Sequence, residues 1–429
     1  MTNIAIIGTG IAGLGCGYLL HRRFDVSLFD GNDYAGGHTN TVAVQHGGEV
    51  VPVDTGFMVF NEVTYPRLTR LFARLGVETM PTSMSFGVQH CASGIEYCGS
   101  SAGQLFAQRR NLVRPRFLRM LGQVTRFNRE ARQALEETRF AGVTLEQYIE
   151  QRGYGAAFRD LYLLPMAGAV WSTPFEDVRH FPARTLLRFF DNHGLLGGLE
   201  GHHPWLTVRG GARHYVEAMT REFADRIELG NAVRRVERDG SGVTLLLDRG
   251  ERRRFDAVIF ACHADEALAL LAAPLPEERR LLASFRYQRN VALLHTDPAP
   301  MPRSRRAWAS WNVRVAAEEG GRSRATTIYW MNSLQHLAAR ENYFVSIDDP
   351  GLVDPSKVLR TIVYHHPLFN LETLRAQGEL ATLNRMGGQQ RTYYCGAYFG
   401  YGFHEDGFVS AIEASRAVAR AEVWQEDAA

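Results

Sequence analysis

Residues 3–30 read NIAIIGTGIAGLGCGYLLHRRFDVSLFD. Asn3 to Ile7 is a short apolar run of buried-strand type, and GTGIAG follows with Gly8, Gly10 and Gly13 in G-x-G-x-x-G spacing. A helix is predicted from about Leu14 to Arg23, and a second strand from Val26 to Phe29 ends at Asp30. Gly8 permits the tight turn, Gly10 lets the backbone approach a pyrophosphate, and Gly13 lets helix and strand pack closely. The helix N-terminus supplies an anion site, with Ile11 and Ala12 of the turn among the expected cofactor-binding residues, and an acid about 20 residues on can hold a ribose hydroxyl. A G-x-G-x-x-G alone is weak. Here it stands in strand–turn–helix–strand–acid order, which predicts an α/β nucleotide-binding domain of Rossmann type.

Composition bounds the rest. At 429 residues the chain can hold two domains and a large core. A net charge of +2 gives no bulk drive toward nucleic acid. The basic residues are arginines except Lys357. Cys16, Cys91, Cys98, Cys262 and Cys395 form no C-x-x-C pair, which suggests reduced thiols and a cytoplasmic protein. The N-terminal residues already belong to the first strand, so no signal or transit peptide is expected. No uncharged apolar run approaches the ~20 residues of a membrane span.

After Asp30 the chain runs GNDYAGGHTNT, then VPVDTGFMVFN, with Gly36, Gly37, His38, Thr41, Asp54, Gly56 and Phe57. Later, NAVRRVERDG, SGVTLLLDRG and ERRRFDAVIFACHA read as a β-meander that ends in a buried strand from Ala257 to Ala261. Near the end, YYCGAYFGYGFHEDGFVSAIEASRAVARA reads as strand, glycine-rich turn and helix, the helix starting near Gly407.

These segments resemble the FAD proteins of the amine oxidase, phytoene desaturase and protoporphyrinogen oxidase group. The runs LPMAGAVWSTP, NHGLL, LLHTDPAPMP, WASWN, IYWMNSLQ and GAYFGYGFHEDG extend the resemblance to one bacterial branch of that group. It comprises amine-oxidase-like FAD/NAD-binding proteins, associated with cyclopropane-fatty-acid-synthase-like methyltransferases, and includes fatty-acyl desaturases. The resemblance implies FAD as cofactor. It also implies a Rossmann-like FAD-binding domain of glutathione-reductase type, with a β-meander, and a discontinuous α+β substrate domain. The FAD-binding domain is expected over 1–80, 205–275 and 385–429, and the substrate domain over 81–204 and 276–384. In the group a G-G-R-x-x-T segment wraps the pyrophosphate; Gly36, Gly37, His38 and Thr41 match it. His38 stands where arginine is usual, keeping a donor but losing a permanent charge and a bidentate fork. Asp54 and Gly56, followed by Phe57, match a D-x-G segment along the flavin, and Val233 matches a backbone contact to adenine. Gly396, Asp406 and Gly407 match the turn and helix N-terminus that face the flavin pyrimidine and ribityl chain.

With flavin accepting hydride, a C–H bond next to an alkene also needs a base. Candidates are His404, Glu405, His193 and Tyr398, with Tyr401 beside it. His404 and Glu405 equally suit a role in orienting the turn, as Asp406 suits capping. The pairs His202–His203 and His365–His366 do not read as metal sites, because strand neighbours point to opposite faces. Trp171, Trp308, Trp311, Tyr329 and Trp330 suit either an apolar tunnel or plain core. The arginine-rich stretch Arg109–Arg139 suits a lipid-facing amphipathic helix at the inner membrane face, or a solvated helix with one apolar stripe.

The expected function is hydride removal from a hydrophobic substrate, with a fatty-acyl chain as the leading class. Amine oxidation is an alternative that the lone Lys357 weakens, since the usual amine oxidase places a lysine near flavin N5. Redox-neutral double-bond isomerisation and a non-catalytic FAD role are further alternatives. A second dinucleotide site is not expected, because GLLGGLEG at Gly194 to Gly201 follows no strand and has the wrong spacing. The sequence leaves the oligomeric state open.

Overall fold

A computed structural model describes residues 2–46, 48–198, 203–317 and 323–425. The opening segment forms the centre of a five-stranded parallel sheet. Its order is Thr392–Tyr394, Ala257–Phe260, Asn3–Ile7, Asp25–Phe29, Ile227–Glu228. Five strands thus come from three distant stretches of chain. They align because successive strand ends are latched: Ala261 N donates to the Ile7 carbonyl, Gly8 N to Phe29, and Cys395 N to Phe260, at 2.8–2.9 Å. The carboxyl ends therefore open on one crevice, where open α/β sheets place ligands.

Side-chain alternation splits the packing. Ile4 and Ile6 face one layer, with the helices Ile11–Leu20, Arg213–Thr220 and His404–Ala419. Ala5 and Ile7 face the other, with the antiparallel meander Val233–Arg238, Val243–Leu247, Arg252–Phe255. The first helix begins at Ile11, three residues before the expected start, and the last at His404, three before Gly407. In both, the glycine-rich turn is shorter than composition suggests.

The second layer also contains the helices Pro276–Leu282, Leu371–Glu379 and Ala381–Gln390, through Leu281, Ala376 and Leu383. Residues 276–285 and 371–384, assigned from sequence to the substrate half, thus pack on the nucleotide-binding sheet. The strand Thr79–Thr82 runs across residue 80 and pairs with Trp205–Val208, so the two halves share a ribbon where the sequence suggested a boundary.

The other half is a seven-stranded sheet, order Val358–Leu368, Arg286–His295, Phe344–Ile347, Ser323–Trp330, Trp311–Ala317, Phe86–His90, Ile95–Cys98. Only Trp311–Ala317 and Phe86–His90 pair in parallel. Helices cover it, the longest being Pro115–Glu136, whose Phe117, Met120 and Phe127 are fully buried. A π-helical turn, Arg159–Leu163, leads into Leu164–Trp171. All five cysteines are unbridged.

Candidate functional site

One continuous cavity of about 1500 Å³ runs from the glycine-rich turn into the substrate half. At the sheet end Gly8 has φ +106°. A methyl on Gly13 would lie 1.9 Å from the Gly8 carbonyl oxygen, so Gly13 is needed for close packing. A methyl on Gly10 would meet nothing within 4 Å. The space beside Gly10 is therefore a cradle open to a ligand, at the N-terminus of an unbroken helix with no side-chain cap. Ile11 and Ala12 line it. This is the geometry of a pyrophosphate site.

Asp30 lines the cavity too, but its carboxylate is already engaged. One oxygen accepts from Thr9 N (2.8 Å) and Thr9 Oγ1 (2.6 Å), the other from Asn32 N (2.9 Å) and Nδ2 (3.0 Å). A carboxylate has about four acceptor positions. Asp30 therefore braces the turn, and a ribose hydroxyl reaches it only by sharing or displacing the Asn32 contact.

Gly36 and Gly37 fold back over the turn. Gly36 N donates to the Thr9 carbonyl at 2.8 Å, and both glycines have positive φ. His38 follows, with its ring stacked on Tyr364 at 4.8 Å and 5.2 Å from His366. Its Nε2 is buried and has no partner among the described residues. Burial and the neighbouring His366 and His263 hold the ring well below the usual histidine range. An orphaned buried nitrogen beside an anion cradle suits a dinucleotide diphosphate. Gly56 allows the chain to pass His38, since a methyl there would lie 2.0 Å from the His38 carbonyl oxygen. Phe57, Val233 and Gly396 also line the cavity.

Thr41, Asp406 and Gly407 make other contacts. None lines the cavity. Thr41 Oγ1 donates to Asp54 at 2.5 Å and accepts from Arg213 N at 3.0 Å. Asp54 in turn accepts from Ala212 N and Gln335 Nε2, capping the helix Arg213–Thr220. Burial pushes its carboxyl up to about 7. Asp406 caps its own helix by accepting from Phe403 N at 2.9 Å, and burial raises it to about 6. Gly407 permits the first and last helices to approach, because a methyl there would lie 2.8 Å from Ile11 Cγ2.

Glu405 is likewise held by other partners. Its two oxygens accept from Arg67 N (3.0 Å) and Leu68 N (2.9 Å), at the start of the helix Pro66–Leu75, and it does not reach the cavity. Unsatisfied N–H groups at a helix start recruit such an acceptor. Tyr401 lies off the cavity, its carbonyl accepting from Trp171 Nε1 at 3.0 Å.

Three catalytic candidates do line the cavity: His404, His193 and Tyr398. His404 stacks on Phe57 at 3.9 Å, and its Nε2 lies 2.9 Å from Thr39 Oγ1, which is also bonded to Tyr215 Oη. Burial lowers His404 to about 3. His193 Nδ1 lies 2.9 Å from the Phe189 carbonyl. A carbonyl only accepts, so Nδ1 carries the proton and Nε2 the lone pair. Burial lowers His193 to about 4, leaving it neutral. Tyr398 Oη is buried without a partner among the described residues, and burial keeps its proton on.

Of the aromatic candidates, Trp171, Trp311 and Tyr329 line the cavity. Trp308 and Trp330 instead pack on each other at 5.3 Å under Arg305. His202 lies outside the described residues; His365 and His366 both line the cavity. Among the described residues no group of three or more His, Cys, Asp or Glu could hold a metal. Lys357 is off the cavity, paired with Asp297 at 3.0 Å.

Sequence reasoning missed Thr9, His263 and Tyr364. Thr9 sits inside the fingerprint with its hydroxyl on Asp30, and a β-branched hydroxyl in a glycine turn is a readable signal. His263 and Tyr364 gave none, because segments distant in sequence bring them to His38.

Fold and cradle define a dinucleotide-binding flavoprotein with an appended substrate half. Residues 11–364 match the family of flavin containing amine oxidoreductases, and the chain belongs to that family. It is 25% identical over 289 residues to AofH of Mycobacterium tuberculosis, a proposed flavin-containing monoamine oxidase; the match covers 66% of this chain. The chain spans 61% of the length of that relative. Among solved structures, putrescine oxidase bound to putrescine is similar with a TM-score of 0.68 at 15% identity, covering 98% of this chain and 99% of that one. Cyclohexylamine oxidase from Brevibacterium oxydans is similar with a TM-score of 0.67 at 17% identity, covering 98% and 99%. A conjugated-linoleic-acid-producing fatty acid isomerase from P. acnes is similar with a TM-score of 0.66 at 15% identity, covering 98% of each chain. These structures share the fold.

Proposed function

We propose that the protein is an FAD-dependent oxidoreductase that takes hydride from a hydrophobic, neutral substrate. Within that class, we propose dehydrogenation of an unsaturated or methyl-branched fatty-acyl chain. The observation that carries this is the charge pattern of the cavity. Among its described lining residues the only carboxylates are Asp30 and Glu266 and the only cation other than histidine is Arg234. Asp30 follows the strand Asp25–Phe29 and braces the glycine-rich turn, Arg234 lies on the meander, and Glu266 on the helix after Ala257–Phe260. The substrate half is lined by Met, Leu, Phe, Trp and Tyr with a few neutral polar groups. Burying a charge there would cost several kcal/mol, whereas a hydrocarbon chain loses nothing polar.

The proposed FAD cradle is Gly8, Gly10, Ile11, Ala12, Gly36, Gly37, His38, Gly56, Phe57, Val233 and Gly396, with Asp30 bracing it. Bound FAD would supply a hydride acceptor at N5. The protein's part is to hold the chain in a dry channel and accept the proton. His193 Nε2 is the proposed acceptor: one C–H leaves as hydride, the adjacent carbon loses its proton to Nε2, and the electron pair left behind closes the new C=C bond. His404 holds Phe57 and Thr39 in place. The reading goes with a cytoplasmic protein that draws its substrate from the inner membrane face.

Amine oxidation is the second reading, favoured by the names of the relatives and by the neutral cavity, which would also admit an uncharged amine. Product analysis decides. Anaerobic holoenzyme is incubated with monounsaturated and methyl-branched acyl lipids, and separately with alkyl amines, and products are weighed by mass spectrometry. Loss of two hydrogens from the acyl chain per flavin reduced supports the proposal. A migrated double bond at unchanged mass, with the flavin oxidised, assigns isomerisation. Imine or aldehyde from the amines, and no acyl product, assigns the second reading.

A further inference from the structure

The described surface exposes eight large apolar side chains, and three of them fall within seven residues: Leu112 at 48%, Val113 at 79% and Leu118 at 43%. They sit on the 3-10 turn Arg109–Val113 and the first turn of the helix Pro115–Glu136. Arg109, Arg110, Arg116 and Arg119 are exposed among them. Arg116 reaches Asp160 at 3.8 Å, but among the described residues Arg109, Arg110 and Arg119 have no carboxylate partner.

The far end of the same stretch differs. Arg126 pairs with Glu130 at 2.9 Å, Arg132 with Asp191 at 2.7 Å, and Arg139 with Glu137 at 2.5 Å. Most of its charge is paired within the protein, Arg129 alone sharing Glu130 at 4.0 Å with Arg126. Uncompensated positive charge and bare apolar surface therefore coincide only at the start of the stretch, not along Arg109–Arg139 as a whole.

The inner face of that helix is a wall of the cavity. Leu121 and Val124 line it, and Leu118 lies one turn before Leu121. The cavity reaches solvent on this side, since Ser100 and Thr125 both line it and are exposed. The apolar tips thus stand beside an opening of an apolar channel.

We propose that this face, Arg109 to Arg119, docks on an anionic phospholipid surface. The aliphatic tips enter the interface, and the arginines keep their guanidinium groups among the phosphates. The inference rests on the acyl reading only for why docking is useful. A chain anchored in the leaflet enters beside Leu121 without crossing water. A protein partner would need a surface both acidic and apolar. The charge complementarity and the channel opening together favour lipid.

The test is sedimentation of the holoenzyme with phosphatidylcholine vesicles, with and without phosphatidylglycerol. Binding is expected only to the anionic vesicles and is lost in high salt. Arg109→Glu with Arg119→Glu weakens it roughly tenfold or more, and so does Val113→Asp with Leu118→Ser. All four positions are exposed and off the cavity, so the variants should be reduced at the wild-type rate by a short acyl thioester free in solution. No sedimentation of the wild type, or variants that bind like it, overturns the proposal. So does a wild-type dimer that Val113→Asp converts to monomer without vesicles, which would assign the face to a second copy. Vesicle binding with no reduction by any acyl compound would sink the acyl reading and leave the docking surface standing.

Discussion

Gly10 and Gly13 are three residues apart in one motif and fail differently when a methyl is added. At Gly10 the methyl has free space, so Gly10→Ala should leave the apoprotein's melting temperature within a degree or two while flavin retention falls. At Gly13 the methyl collides with the Gly8 carbonyl, so Gly13→Ala should lose several kcal/mol of stability. Thermal melts of the apoproteins, with flavin fluorescence for retention, separate the two. His38 should behave like Gly10. Removing its unpartnered Nε2 should weaken FAD binding by about 1.5–3 kcal/mol, roughly tenfold to a hundredfold, with little change in apoprotein melting. His193→Phe keeps the aromatic stack on Phe189 and removes the lone pair. The rate of flavin reduction should fall roughly a hundredfold to ten-thousandfold; an unchanged rate excludes His193 as the base. His404 carries a pH signature. Its folded value lies near 3, below the usual 6.5, so the folded state binds fewer protons than the unfolded one between these limits. The stability this contributes is present above pH 6.5 and is lost as pH falls toward 3, by at most about 1.4 kcal/mol per pH unit. His404→Gln should therefore gain on the wild type as pH is lowered from 7 to 5, in parallel melts.

Capping carboxylates organise the element scale. Glu405 closes the start of Pro66–Leu75, Asp406 its own helix, and Asp54 the helix Arg213–Thr220. The sequence offers Glu405 as a base, Asp406 as a flavin-facing residue or a cap, and Asp54 as part of a segment along the flavin. What sequence could not show is the direction each carboxylate takes, because its partners lie far away: Glu405 is 338 residues from Arg67. Glu405→Ala should cost about 1 kcal/mol of stability, typical of a lost cap, and leave the pH profile of flavin reduction unchanged. A shifted profile would return Glu405 to the chemistry. The elements themselves were more legible. The fingerprint fixed Asn3–Ile7, the helix and Asp25–Phe29 because their signal is local, and the meander followed from its turn residues. Helix starts were placed three residues late, since glycines that look like turn are tolerated inside helices packed against other helices.

The whole molecule joins two halves across one cavity, and here the sequence was least informative. Residues 276–285 and 371–384 have substrate-half neighbours along the chain yet pack on the nucleotide sheet, because Leu281, Ala376 and Leu383 complete a core that the meander leaves open. Tyr364 and His366, on the strand Val358–Leu368, and His263, at the start of the helix Ala264–Leu270, gather at His38 from parts of the chain far from it in sequence. Such convergence leaves no trace in spacing. The absence of charge from the far end of the cavity was also invisible, since it depends on which residues face inward. Among the described residues no helix is long and apolar enough to cross a membrane. Contact with lipid would therefore run through a surface such as Arg109 to Arg119. The central claim is that this neutral channel delivers a hydrocarbon chain to a flavin at the sheet's crevice. Anaerobic stopped-flow absorbance tests it most directly, mixing the holoenzyme with a monounsaturated acyl lipid and, separately, an amine of matched chain length. The account predicts that the oxidised-flavin band bleaches with the lipid and not with the amine. Bleaching by the amine alone would contradict it.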